Sequence, residues 1–248
     1  MNDNIIQAQG GRWYNADGVW VPSVTSILAV YPKGIGFDKW LGSSDSYDDA
    51  IAKRDAAGER GTLVHEAIAA LIAGQKIQII PPPGQHESLG NRLTPITTIY
   101  AKDAEKVGKL VQGWVNWWES AKPDAIGCEV FVKGDGYAGT LDFYGWIDGE
   151  PWVVDWKSSA GVYTSYHLQT AAYAAALPET RYMRGVLHLK TSTKRGWQLV
   201  ESEHSQEEDY ATFLACKAIF HHEFGYEPII REEKEKVQTV FKLSEVTK

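Results

Sequence analysis

The stretch Gly139–Ser159, GTLDFYGWIDGEPWVVDWKSS, places two aspartates, Asp142 and Asp155, inside segments whose alternating bulky apolar residues read as strands. The alternation breaks once, at Asp148-Gly149, a strong two-residue hairpin signal. With that turn Ile147 faces Glu150, so the numbers of facing residues sum to 297. Asp142 and Asp155 are then expected opposite each other, with Cβ atoms about 4.5–5.5 Å apart. Lys157 lies two positions beyond Asp155 on the same face, opposite Thr140. The other face carries Leu141, Phe143, Ile147, Trp152, Val154 and Trp156, the expected core.

Two facing carboxylates repel. Three arrangements offset this: one carboxylate is protonated, Lys157 neutralises part of the charge, or a divalent cation sits between them. Oxygen ligands beside a lysine suit Mg²⁺ or Mn²⁺. The competing reading is a surface hairpin whose acids face solvent. Tyr144, Trp146 and Val153 share the aspartate face and point instead to a cleft.

The 248 residues are 44% hydrophobic and 23% charged, ordinary globular composition. No apolar run is long enough to span a bilayer, and the N-terminus lacks the basic start and apolar block of a signal peptide. These features lead us to expect a soluble, cytoplasmic protein. Cys128 and Cys216 stand alone and form no CxxC pair, so no iron–sulfur cluster or zinc ribbon is expected. A net charge of −7 argues against nonspecific coating of nucleic acid, but leaves room for a local basic groove. From Thr180 to Val200 the chain carries Arg181, Arg184, Lys190, Lys194 and Arg195 and no acid. That segment is either a solvated strand edge or one wall of a phosphate-binding groove.

Along the chain, GRWYNADGVWVP reads as a hairpin turning at Asp17-Gly18, and Ser23 as the cap of a following helix. Asp45 to Ala57 is expected helical, and ERGTLVHEAIAALIAG forms a separate helix ending at Gly74. PPPGQHESLG reads as a loop. A long helix follows, stopped before Pro123, with Trp114, Trp117 and Trp118 on one face, either core or a base-stacking platform. Then come three strands, a helix ending near Pro178, a hairpin from Arg184 to Ser202, and a terminal helix. This order predicts one α/β domain, residues 1–248, with a central mixed sheet flanked by helices. N-terminal elements occupy residues 1–125, the sheet core 126–200 and the last helix 205–225.

GTLD followed by VVDWK resembles the core motif of the PD-(D/E)xK nuclease superfamily, whose fold is restriction-endonuclease-like. GTLVHEAI with His65, Glu129 in CEVFV, and Gln169 and Tyr173 in QTAAY resemble three further blocks of its RecB-like branch. The order and spacing of these blocks also match. VPSVTSIL, with Lys39-Trp40 after it, is similar to the subgroup containing the mitochondrial genome maintenance exonuclease and related phage and bacterial proteins. The cysteines of the iron–sulfur branch are absent.

The resemblance implies metal-dependent hydrolysis of DNA phosphodiester bonds, with Mg²⁺ or Mn²⁺ and a preference for single strands or free ends. A structure-specific or restriction-type endonuclease and a non-catalytic DNA-binding scaffold are the alternatives. The implied ligands are His65, Asp142, Asp155 and the backbone carbonyl of Trp156; from the residues alone, His65 reads rather as a core histidine on an amphipathic helix. Lys157 would orient the attacking water or the oxyanion. Glu129 is either a holder of metal-bound water or an edge-strand acid. Gln169 and Tyr173 would lie near the DNA backbone, although Tyr173 also suits core packing. Ser23, Thr25 and Ser26 either bind phosphate or simply cap. Trp40 either stacks on a base or packs in the core, and Lys39 and Arg184 would contact the substrate. A role in repair or recombination, in a bacterial cell or phage-infected host, would fit. The neighbouring His221 and His222 are given no role.

Overall fold

The computed structural model describes residues 4–82, 96–178 and 181–230. Most of the expected PPPGQHESLG loop and the tail after 230 lie outside them. β1 (Ile5–Ala8), β2 (Gly11–Ala16) and β3 (Val19–Pro22) make a small antiparallel sheet, in which β1 was unanticipated. β2 and β3 form the expected N-terminal hairpin. Asp17 and Gly18 both adopt positive φ at its turn, as a two-residue hairpin loop demands.

α1 (Val24–Ile27) follows, then a 3₁₀ turn at Leu28–Val30. α2 (Gly34–Gly42), unanticipated in the sequence, buries none of its residues. The two helices expected between Asp45 and Gly74 are one, α3 (Tyr47–Ile72). No proline interrupts them, and Gly58 and Gly61 are tolerated within the helix. Ser46 caps α3 by accepting a hydrogen bond from Asp49 N, 3.0 Å. Gly74, at φ +73, stands just past its end. Two further strands escaped the sequence reading: β4 (Lys76–Ile80) and β5 (Ile96–Tyr100), paired in parallel. Each is only five residues long, and their alternation is weak.

α4 (Ala104–Ala121) precedes β6 (Asp124–Gly134), β7 (Tyr137–Ile147) and β8 (Glu150–Lys157). α5 (Thr164–Ala175) crosses to β9 (Met183–Leu189), then come β10 (Trp197–Glu201) and α6 (Gln206–Phe224). The central sheet has the order β10-β9-β8-β7-β6. Only β8 and β9 pair in parallel, because a helix joins them, while hairpins join the other neighbours. The architecture is therefore the expected mixed sheet flanked by helices.

Two apolar layers hold it. On one face α4 and the C-terminal half of α3 pack against Phe143, Val154, Trp156 and Leu187. Trp114 and Trp117 lie in this layer, with ring centroids 6.0 and 5.6 Å from Trp156, so the tryptophan stripe is core. Each such buried aromatic contributes roughly 1.5–3 kcal/mol. On the other face α1, α5 and α6 cover Leu141, Val153 and Tyr137. Leu141 thus sits across the sheet from Phe143, against the expectation that both share one face. Among the described residues no helix is long and apolar enough to cross a membrane.

Candidate active site

The side change between Leu141 and Phe143 marks the site. Neighbouring β6 switches with β7: Cys128, facing Phe143, packs toward α4, whereas Val130, facing Leu141, packs toward α5 and α6. Between them Glu129 takes the left-handed conformation, φ +51, unusual for a residue with a Cβ. The strand pair rotates at Glu129 and Asp142, so strict two-residue alternation fails there and both carboxylates turn toward α3.

The sum of 297 holds in the β7–β8 ladder from Ile147↔Glu150 to Phe143↔Val154. The ladder stops one pair short of the aspartates. Asp142 does not simply face Asp155; its Oδ2 accepts a hydrogen bond from Trp156 N at 2.8 Å, a side chain replacing the next rung. Asp142 and Asp155 are 5% and 1% exposed, which excludes the solvent-facing hairpin.

α3 supplies His65. Its neighbours Val64, Ala67 and Ile68 are buried, which leaves His65 half-buried at the edge of the packed stripe. Nδ1 lies 3.5 Å from both Glu129 Oε1 and Asp142 Oδ1, and Nε2 lies 3.3 Å from the Trp156 carbonyl oxygen. One donor atom each from His65, Glu129 and Asp142 falls within 4.8 Å of the others. An imidazole and two carboxylates suit a divalent cation that accepts oxygen and nitrogen ligands, Mn²⁺ comfortably and Mg²⁺ with its oxygen donors, while the Trp156 carbonyl meets the other ring nitrogen. Asp155 stands outside that trio. Its Oδ2 is 2.6 Å from Lys157 Nζ, and Lys157 Nζ also lies 5.0 Å from the centre of the Tyr166 ring.

The electrostatics reflect crowded negative charge. Burial, reinforced by Asp155 and Glu129, raises the Asp142 carboxyl to about 7 even though His65 opposes it. Burial lowers the His65 pKa, but the Asp142 charge and the Glu129 hydrogen bond outweigh it and bring the imidazole up to about 9. Burial also works against the Lys157 ammonium, yet Asp155 and Asp142 hold its pKa above the ordinary value. The cluster thus retains protons that a cation would replace.

Gln169 and Tyr173 lie beneath the site. Both are buried, and Gln169 Nε2 donates to Tyr173 Oη at 3.1 Å. The Tyr173 ring covers Gly139, where a Cβ would come within 2.7 Å of it, which accounts for the glycine of GTLD.

The other expected substrate contacts separate. Lys39 and Trp40 are exposed on α2, where Trp40 leans on Phe37 at 5.5 Å. Ser23 and Ser26 turn inward: Ser23 Oγ accepts from Ser26 N, and Ser26 Oγ donates to the Arg12 carbonyl. Thr25 is exposed, with its hydroxyl 3.1 Å from Ser23 Oγ. These serines cap and tie α1 to β2. Arg184 is a correction. It is 7% exposed and pairs with Asp209 at 3.0 Å, while its nitrogens also donate to the His167 and His204 carbonyls. Its charge is enclosed between β9, α5 and α6 and cannot meet a phosphate. Tyr166 escaped the sequence reading, although it lies three residues before Gln169 and seven before Tyr173, on the same helix face.

A family model of the PD-(D/E)XK nuclease superfamily matches residues 43–222, a span from the turn before α3 into α6. No curated protein matches the chain.

Proposed function

The chain belongs to the PD-(D/E)XK nuclease superfamily, and from that premise we propose that it is a metal-dependent DNA exonuclease of the RecB-like branch that prefers single strands or free ends. The observation that carries the reading is the convergence of His65, Glu129, Asp142 and the Trp156 carbonyl beside the Asp155–Lys157 pair. His65, Glu129, Asp142 and the Trp156 carbonyl would hold Mg²⁺ or Mn²⁺, with Asp155 the remaining carboxylate within the cluster. A bound cation would lower the pKa of a water and offset charge on the phosphate.

The chain's own residues supply the rest. Lys157 carries an ammonium at the mouth of a carboxylate cluster, placed to hydrogen-bond the attacking water or a non-bridging phosphate oxygen. Water oxygen bonds to phosphorus and gives up a proton, the bond to the leaving sugar oxygen breaks, and that oxygen takes up a proton. Asp155 keeps the ammonium close, at 2.6 Å, and Asp142, held by Trp156 N, is prevented from swinging away. Gln169 and Tyr173 support the floor on which the phosphate backbone would rest. The preference for ends rests on the sequence similarity of VPSVTSIL and Lys39-Trp40 to the exonuclease subgroup. The exposure of Lys39 and Trp40 leaves both available to a strand.

The test is an end-labelled linear single strand beside a circular one, with Mg²⁺ or Mn²⁺. Loss of the linear strand alone supports the proposal. Loss of both indicates an endonuclease, and loss of neither a binding protein. Asp155→Asn and Lys157→Ala should each abolish cleavage with the circular dichroism spectrum retained; full activity in either removes the assignment.

A further inference from the structure

Lys157 has two neighbours that define its direction. On one side is the Asp155 carboxylate at 2.6 Å, an approach whose angle is poor for a hydrogen bond. On the other is the Tyr166 ring, its centre 5.0 Å from Nζ, within the range in which an aromatic face attracts a cation. A carboxylate alone fixes distance but not direction, because a lysine stem has four rotatable bonds. The Tyr166 ring adds a second contact, which narrows the positions open to the ammonium.

Tyr166 is itself held. Its first-turn place on α5 is set by the hydrogen bond from its backbone N–H to the Tyr163 carbonyl, 2.9 Å. Tyr163 meets its ring edge-on, with centroids 5.4 Å apart at 74°. Ser159, two residues beyond Lys157, donates from Oγ to the Gly161 carbonyl at 2.7 Å, and its carbonyl lies 2.8 Å from His188 Nε2. The loop from β8 to α5 is therefore tied at both ends around the lysine.

We infer that Tyr166 is a positioning residue, whose ring holds the Lys157 ammonium against Asp155 in the orientation that cleavage uses. This rests on the nuclease reading for its kinetic consequence, but the contact can be observed without any turnover. In wild-type protein, selective labelling of lysine should show the Lys157 ε-methylene protons shifted upfield by the ring. The shift should persist in Tyr166→Phe and vanish in Tyr166→Leu. Kinetically, Tyr166→Leu should lower kcat about three- to thirtyfold, the rate equivalent of a lost cation–π contact. KM and Mg²⁺ affinity, measured by calorimetry, should stay within about twofold, since the ring acts on the lysine and not on His65, Glu129 or Asp142. Tyr166→Phe should recover most of the loss.

An ordinary ε-methylene shift in the wild type overturns the inference whether or not any variant folds. So does a Phe variant as impaired as Leu, which would assign the effect to the hydroxyl. A Leu variant with unchanged kcat overturns it as well. If wild type shows the shift but cleaves no nucleic acid, the contact stands and the nuclease reading is what fails.

Discussion

At the scale of single residues, the metal-free cluster is governed by protons. The Asp142 carboxyl is raised from 3.8 to about 7 and the His65 imidazole from 6.5 to about 9. Both groups bind a proton more tightly folded than unfolded. The stability Asp142 contributes is complete below 3.8 and lost as pH rises through about 7. That of His65 is complete below 6.5 and lost through about 9. In chelator the melting temperature should therefore fall between pH 6 and pH 9. With Mg²⁺ the fall should shrink or reverse, because the cation replaces those protons and binds more tightly as they leave. Thermal melts across pH, with chelator and with Mg²⁺, check this; a chelated protein that gains stability toward pH 9 contradicts it. Glu129 supplies a second residue-scale prediction. Its left-handed backbone costs about 1–2 kcal/mol, and glycine in its place also removes a crowded charge. Glu129→Gly should leave the urea midpoint equal or higher while weakening Mg²⁺ binding, by calorimetry, by about tenfold or more.

At the scale of elements, the strands and helices bearing the site are matched by local signals, whereas β1, α2, β4 and β5 are not. Asp148-Gly149 dictates a two-residue hairpin, and Pro178 and Gly225 fall just beyond helix ends. α2 has no buried face, so no apolar periodicity announces it. β4 and β5 pair across a sequence separation that no local pattern encodes. The exposure of α2 leads to a prediction. Trp40→Ala should leave the melting temperature close to wild type, since the ring contributes little packing. If the ring stacks on a base, the same change should raise KM for single-stranded DNA by about fivefold or more. Equal KM values in variant and wild type would remove α2 from the substrate path.

At the scale of the whole molecule, Arg184 and Asp209 tie β9, α5 and α6 together out of solvent. Breaking a buried pair leaves one charge uncompensated, at a cost of about 3–5 kcal/mol. Arg184→Ala should therefore lower the urea midpoint sharply while leaving DNA affinity, per folded molecule, unaltered. A selective loss of DNA binding would reverse that assignment.

The amino-acid order was enough to define the hairpin turn, that His65 lies on a helix, the mixed sheet and, from the strand pattern, Asp142, Asp155 and Lys157. Those features follow from turn chemistry and periodicity, which act over short stretches of chain, whereas His65 and Glu129 were named by resemblance to family motifs. Only the tertiary structure decided that the ladder stops before the aspartates, that Glu129 joins His65 and Asp142, and that Asp155 turns to Lys157. It also decided that Arg184 and the serines of α1 are internal. A strand's alternation assumes a regular backbone, and one left-handed residue on β6, answered by a rotation of β7, changes which side chains meet. Burial of a charged side chain depends on what packs over it from distant parts of the chain, and no local pattern records that.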